Sequence, residues 1–277
     1  MVYFGFHNHS DYCDGSSSLE DIVLEAIGQG MAYVGVSSHA PMKRDFYWTM
    51  PLEKFPRYVS ELLKYKNRFA DKIELFIGLE ADYLPPHSFS FDFFRTQFSV
   101  DYIIGSVHLV SVGENFWFID GEREAYVEGI KIFFQGDVEK AIKAYFERTI
   151  EMIESEKTDV LGHMDKILMH NKNEFFTPNN PTFVKYCKEV LKKAKQYNVI
   201  VEINTRGLYS GKYYDYYPGK YCWEWIRAMD VPVMISVDAH RRDEILAGFL
   251  QATADLKNAG IYNVYLPIPR SPFKLTL

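Results

Sequence analysis

The sequence predicts an α/β fold, a single (β/α) barrel of about seven or eight parallel strands, on three observations. Short apolar runs alternate with amphipathic helical segments along the whole chain, which implies parallel strands joined by helical crossovers. No shift in composition marks a linker, so residues 1–277 read as one domain. Run after run also ends in a histidine or an acid, as expected where a barrel gathers its chemistry at the C-terminal strand ends. No dinucleotide-binding glycine fingerprint follows any strand, which argues against a doubly wound sheet.

The first apolar run ends in His7-Asn8-His9, with Asp11 and Asp14 close behind. Residues i and i+2 of a strand share a face, so His7 and His9 present their imidazoles side by side. A helix is expected next, capped by Ser17 and closed by Gly28 to Gly30, with Leu19, Ile22, Val23, Ala26 and Ile27 on its apolar face. Tyr33 to Ser38 forms a second strand ending in His39, and a polar and aromatic loop leads to a helix over about Leu52 to Ala70. Ile73 to Leu79 forms a strand ending in Glu80, and Asp101 to Val107 one ending in His108. Leu109 to Glu122 has no clear period and reads as a long loop or hairpin over the site.

Val138 to Ser155 has helical spacing, and Thr158 to Gly162 is a strand ending in His163. Pro181 to Tyr197 is a helix whose lysines largely avoid its apolar stripe, which marks a solvated face rather than a binding patch. Val199 to Ile203 is a strand followed by Asn204-Thr205-Arg206 and a Tyr-rich loop, and Val233 to Val237 ends in Asp238-Ala239-His240. A helix and a last strand at Val264 to Leu266 complete the series.

A net charge of −6 argues against broad electrostatic binding of nucleic acid, so an anionic substrate needs local cations or metal. Cys13, Cys187 and Cys222 are odd in number and scattered, which fits a reducing, cytoplasmic setting better than a disulfide framework. No stretch is long and apolar enough for a signal core or a membrane span, so a soluble protein is expected.

Taken singly, each histidine at a strand end has a bland explanation as a capping or hydrogen-bonded residue. Repetition defeats it, since of the eight histidines only His87 and His170 fall outside the pattern. Imidazoles crowded at a barrel mouth repel when protonated and leave lone pairs unmet when neutral, and divalent ions resolve both problems. Nitrogen and oxygen ligands with an open position for water make a catalytic site, here with ligands enough for two or three ions.

The motifs His7-Asn8-His9 with Asp14-Gly15, Ser38-His39, Gly78-Leu79-Glu80, Gly105-Ser106-Val107-His108, Gly162-His163-Met164-Asp165 and Asp238-Ala239-His240 resemble, in order, those of the PHP (polymerase and histidinol phosphatase) superfamily. The resemblance covers almost the whole chain and implies a distorted (β/α)7 TIM-like barrel. It implies one ion held by His7, His9 and Asp238, a second bridged through Glu80 and held by His108 and His163, and a third held by Asp14, His39 and His240. Asp11 is the rival to Asp14, and Asp165 is a candidate to support His163 or to cap. Zinc, manganese and iron all suit such ligands.

The implied reaction is phosphomonoester hydrolysis, with water activated between ions attacking phosphorus in line. Glu80, Asp238 and Arg206 would carry catalysis; Arg206 would grip the phosphate, with Lys212 and Arg241, and Arg242 after them, as further candidates. The histidinol-phosphatase branch fits best, which makes L-histidinol phosphate the expected substrate and histidine biosynthesis the setting. A nucleotide, an oligonucleotide end or another small phosphate ester is the alternative. Many relatives carry a basic residue where this chain has Tyr209.

Overall fold

The computed structural model describes residues 1–268 and 273–277. Strand β1 (Phe4–Gly5) leads through helix α1 (Leu19–Gly28) to β2 (Tyr33–Val36), and helix α2 (Phe55–Arg68) leads to β3 (Glu74–Asp82). Helix α3 (Phe91–Gln97) precedes β4 (Tyr102–Ser106), and an antiparallel hairpin follows, β5 (Leu109–Val112) with β6 (Asn115–Phe118). Helices α4 (Arg123–Phe133) and α5 (Val138–Ser155) precede β7 (Val160–Leu161); α6 (Leu168–Asn171) and α7 (Pro181–Gln196) precede β8 (Ile200–Asn204). Then come α8 (Arg206–Tyr209), α9 (Trp223–Ala228), β9 (Val233–Ser236), α10 (Phe249–Asn258), β10 (Asn263–Leu266) and β11 (Phe273–Thr276).

The main sheet has seven strands in the order β1-β2-β3-β4-β7-β8-β9, and every neighbouring pair is parallel. It curls into a nearly closed barrel. Its seam is joined just past the strand ends, where Asn8 bridges Ala239; His9 N–H donates to the Ala239 carbonyl at 2.7 Å and Ala239 N–H to that of His7 at 3.2 Å. The strand expected at Val264 to Leu266 lies outside this sheet, as β10, because it pairs antiparallel with β11 instead.

Below the seam the barrel is filled by aromatics. Tyr102 donates its hydroxyl to the Phe6 carbonyl at 2.5 Å, and Phe6 packs on Phe76 and Tyr102 at centroid distances of 5.3 and 5.4 Å. Gly35 and Gly78 leave room for the Tyr102 side chain, since a Cβ on Gly35 would stand 2.2 Å from its hydroxyl oxygen and one on Gly78 2.2 Å from its ring. Burying one such ring stabilises the fold by about 1.5–3 kcal/mol.

The start of α1 differs from expectation by one residue. Ser18 is the cap, its hydroxyl accepting Asp21 N–H at 3.1 Å, because the Ser17 hydroxyl accepts Arg242 N–H at 3.0 Å instead. Above the barrel, Met42, Trp48, Leu84 and Leu109, flanked by Phe46, Phe116 and Phe118, form a small core separate from the main one. It roots the hairpin and the loop after His39 beside the mouth. Among the described residues no helix is long and apolar enough to cross a membrane.

Candidate metal centre

Glu80 lies at the middle of the barrel mouth and is buried. It falls inside β3, which runs two residues beyond the expected strand end. Its Oε2 lies 3.2 Å from His7 Nε2, 3.3 Å from His9 Nε2 and 3.4 Å from His39 Nδ1. Its Oε1 lies 3.0 Å from His163 Nε2 and 3.4 Å from His108 Nε2, and accepts the Ser106 hydroxyl at 2.7 Å. Asp238 Oδ1 is 3.3 Å from His9 Nε2 and 3.5 Å from His240 Nδ1. Asp14 faces His240 Nε2 at 3.3 Å, His9 Nδ1 at 3.6 Å and His39 Nε2 at 3.8 Å.

All of the candidate ligands are thus brought together, and Asp11 is not among them. Asp11 lines a separate surface depression with Arg57 and Glu61. Asp14 reaches the cluster because Gly15 folds tightly onto the backbone of His9 and Ser10, where a Cβ would stand 2.6 Å from the His9 carbonyl carbon. Three groups place their ligand atoms within 4.8 Å of one another: His9, Asp14, His39 and His240; His7, His9 and Glu80; and His39, Glu80 and His108.

The donor set fits divalent ions on a direct observation. His7 Nε2, His9 Nε2 and His39 Nδ1 are buried without a hydrogen-bond partner although carboxylate oxygens lie nearby. They aim at shared points rather than at one another's acceptors, the arrangement of ligands rather than of a hydrogen-bonded core. His108 Nε2 and His163 Nε2 face each other at 3.1 Å, a contact a shared cation explains more readily than two protons.

Charge is balanced finely here. Burial pulls the His7 pKa down, but Glu202, Glu80 and Asp238 outweigh it and drive it up to about 10. Burial holds His39 down to about 4, against the pull of Glu80. Burial would raise Glu80, yet His7, His39 and His108 keep it well below the usual carboxylate range. The Glu80 carboxylate therefore stays ionised, with positive charge required beside it, from an imidazolium or from a bound cation.

Two acids behind the cluster were absent from the candidates. Glu202 is fully buried; its Oε2 accepts from His7 Nδ1 at 2.8 Å and Ser236 Oγ at 2.6 Å, and its Oε1 accepts His163 N–H at 2.6 Å. Asp82 Oδ1 accepts from His108 Nδ1 at 2.9 Å, and its Oδ2 takes the Trp48 indole N–H at 3.2 Å. Each fixes an imidazole so that Nε2 points inward. The signal was present: Asp82 is two residues after Glu80 in one strand, the same-face spacing that paired His7 with His9.

A cavity of about 240 Å³ opens above the cluster. Arg206, Lys212 and Lys166 bring positive charge to its wall, with Asp120, Glu122, Tyr47 and Trp48 around them. Lys166, also missed, is buried and ion-paired with Asp120 at 2.9 Å. Arg241 does not line the cavity, because its guanidinium is held by Asp243 at 2.5 and 3.0 Å on the exposed surface. Arg242 likewise turns to Asp21, at 3.1 Å. Asp165 points away from the ions' place and accepts from Gly219 N–H at 3.0 Å and the Tyr221 hydroxyl at 2.8 Å.

Residues 5–206 match the family model of the PHP domain. The chain belongs to the PHP domain family. Among the relatives of this PHP chain is a Schizosaccharomyces pombe protein named "Probable histidinol-phosphatase", 27% identical over 270 residues that span 92% of this chain and 86% of that protein. A histidinol phosphatase candidate from Listeria monocytogenes superposes with a TM-score of 0.79 at 24% identity, covering 90% of this chain and 99% of the other. The histidinol phosphate phosphatase of Lactococcus lactis, solved with zinc, L-histidinol and phosphate, superposes with a TM-score of 0.68 at 19% identity over 98% of each chain. These likenesses show the PHP barrel.

Proposed function

We propose that this PHP chain is a metal-dependent phosphomonoester hydrolase whose substrate is L-histidinol phosphate. One observation carries the reading: unpartnered histidine nitrogens and ionised carboxylates floor a cavity whose wall bears Arg206, Lys166 and Lys212. Such a floor suits cations and such a wall suits a phosphate. The name of the Schizosaccharomyces pombe relative and the ligands of the Lactococcus lactis structure support the substrate.

His7, His9 and Asp238 would hold one ion, Glu80 would bridge it to a second held by His108 and His163, and Asp14, His39 and His240 would hold a third. The zinc of the Lactococcus lactis structure supports zinc; manganese and iron suit the same donors. Bound there, divalent ions supply an activated water and neutralise charge on the phosphoryl group. The chain's own residues do the rest. Glu202 and Asp82 keep His7 and His108 in the ligating tautomer. Arg206 presents its guanidinium from the wall toward the phosphate, and Lys166, fixed by Asp120, adds a second charge. Tyr47 and Trp48 line the cavity beside the cluster, and the small core beneath Trp48 holds it there, which helps exclude water.

Phosphate release from L-histidinol phosphate, nucleoside monophosphates and glycerol 3-phosphate, before and after chelation, tests the reading. The expected result is selective turnover of L-histidinol phosphate that chelation abolishes and zinc or manganese restores. Equal or better turnover of a nucleotide would move the substrate to the alternative ester class, and activity that survives chelation would end the metal-dependent reading.

A further inference from the structure

Asp238 adopts φ +58°, the left-handed region, which costs a residue other than glycine free energy unless its neighbours hold it there. The turn carries its carbonyl oxygen toward the end of β8, where three side chains meet it. Arg206 Nη1 donates to that oxygen at 2.6 Å and the Tyr209 hydroxyl at 3.2 Å. His240 Nδ1 lies 3.2 Å from it. Arg206 Nη1 is also 3.2 Å from the Tyr209 oxygen; with the guanidinium as donor there, the hydroxyl proton is left to the carbonyl. On its other side Asp238 is steadied by Asn204, whose amide donates to Oδ2 at 3.2 Å.

We infer that Tyr209 is a positioning residue of the metal centre. With Arg206 it holds the Asp238 carbonyl, and that hold fixes the left-handed turn that aims the Asp238 carboxylate at His9. The same carbonyl takes the Nδ1 proton of His240, so His240 presents Nε2 toward Asp14. One backbone oxygen thereby ties together the groups facing two ion positions and the guanidinium on the cavity wall. A tyrosine that merely packed at the rim would place its ring against apolar neighbours. Here it is the hydroxyl that is committed, to a carbonyl whose own conformation is unfavourable.

The inference rests on the metal-dependent reading, and zinc affinity tests it independently of turnover. Tyr209→Phe removes one hydroxyl and keeps the ring. Tyr213→Phe is the control, since the Tyr213 hydroxyl, four residues on and just past α8, has no hydrogen-bond partner. Zinc dissociation constants come from chelator competition on the full chain, and kcat and KM from the best phosphate ester found. Tyr209→Phe is expected to weaken zinc binding at one position by about fivefold, as for one neutral hydrogen bond, and to lower kcat with KM within about twofold of the parent. Tyr213→Phe should stay within about twofold throughout. Zinc affinity of Tyr209→Phe within about twofold of the parent, or an equal loss in Tyr213→Phe, overturns the inference. Zinc binding by a protein that hydrolyses no ester would defeat the phosphatase reading and leave this comparison decisive.

Discussion

A fully buried carboxylate with four hydrogen bonds to it is rarely incidental, and Glu202 has four: from His7, Ser236, His163 and Asn204. Glu202→Gln keeps the volume but turns one oxygen into a donor facing other donors. Zinc affinity, measured by chelator competition, should fall about 10- to 100-fold while the fold persists. Asp165 has the opposite relation to its surroundings. Burial, against bonds from Gly219 and Tyr221, raises its pKa to about 7, and Oδ1 has no partner. A carboxyl whose folded pKa lies above its unfolded value stabilises the fold fully below about pH 3.8, and that contribution is lost as pH rises through about 7. Asp165→Asn should therefore flatten the decline in stability between about pH 4 and 7, by about 3–4 kcal/mol in urea unfolding. Most of the candidate ligands were legible because they recur at strand ends, and Asp14, in the loop after His9, through the family resemblance. Glu202 was not, because a lone charged residue between Val201 and Ile203 gives no sign of what it faces.

Elements were legible where period and length agreed. Helix α5 runs from Val138 to Ser155 with a buried stripe of Ala141, Ile142, Tyr145, Phe146, Met152 and Ile153, and its periodicity marked both ends. Helix α4 escaped notice because a glycine interrupts its apolar face. Gly129 is there to admit Trp117 of the hairpin, whose Cδ1 would stand 2.1 Å from a Cβ. Gly129→Ala, favourable by helix propensity alone, should instead destabilise the protein by about 1–3 kcal/mol, read as a lower urea midpoint with altered tryptophan fluorescence. Helix α9, six residues long, is too short for period to speak. The extension of β3 to Asp82 was hidden by the acids at its end, since charged residues ordinarily mark a strand's exit from the core.

At the scale of the molecule, parallel topology followed from alternation, but which strands close the ring did not, since closure depends on pairing between distant segments. The last predicted strand went to β11, and the ring remains joined between β1 and β9 at the Asn8–Ala239 bridge. His7 and His9 stand on one side of that seam, Asp238 and His240 on the other. Ions held by both sides would staple it, and binding at a thousandfold excess over the dissociation constant adds about 4 kcal/mol. Zinc should accordingly raise the melting temperature and slow hydrogen exchange at the His9 and Ala239 amides more than at α5; uniform slowing would separate ion binding from seam closure. The small core of Met42, Trp48, Leu84 and Leu109 has a different consequence. Because the rim rests on its own foundation, its exposed Tyr47 is free to change without disturbing the barrel. Trp48, tied to Asp82 and through it to His108, is not. New substrate ranges should arise around Trp48, and descendants that replace it should also have rebuilt the support of His108.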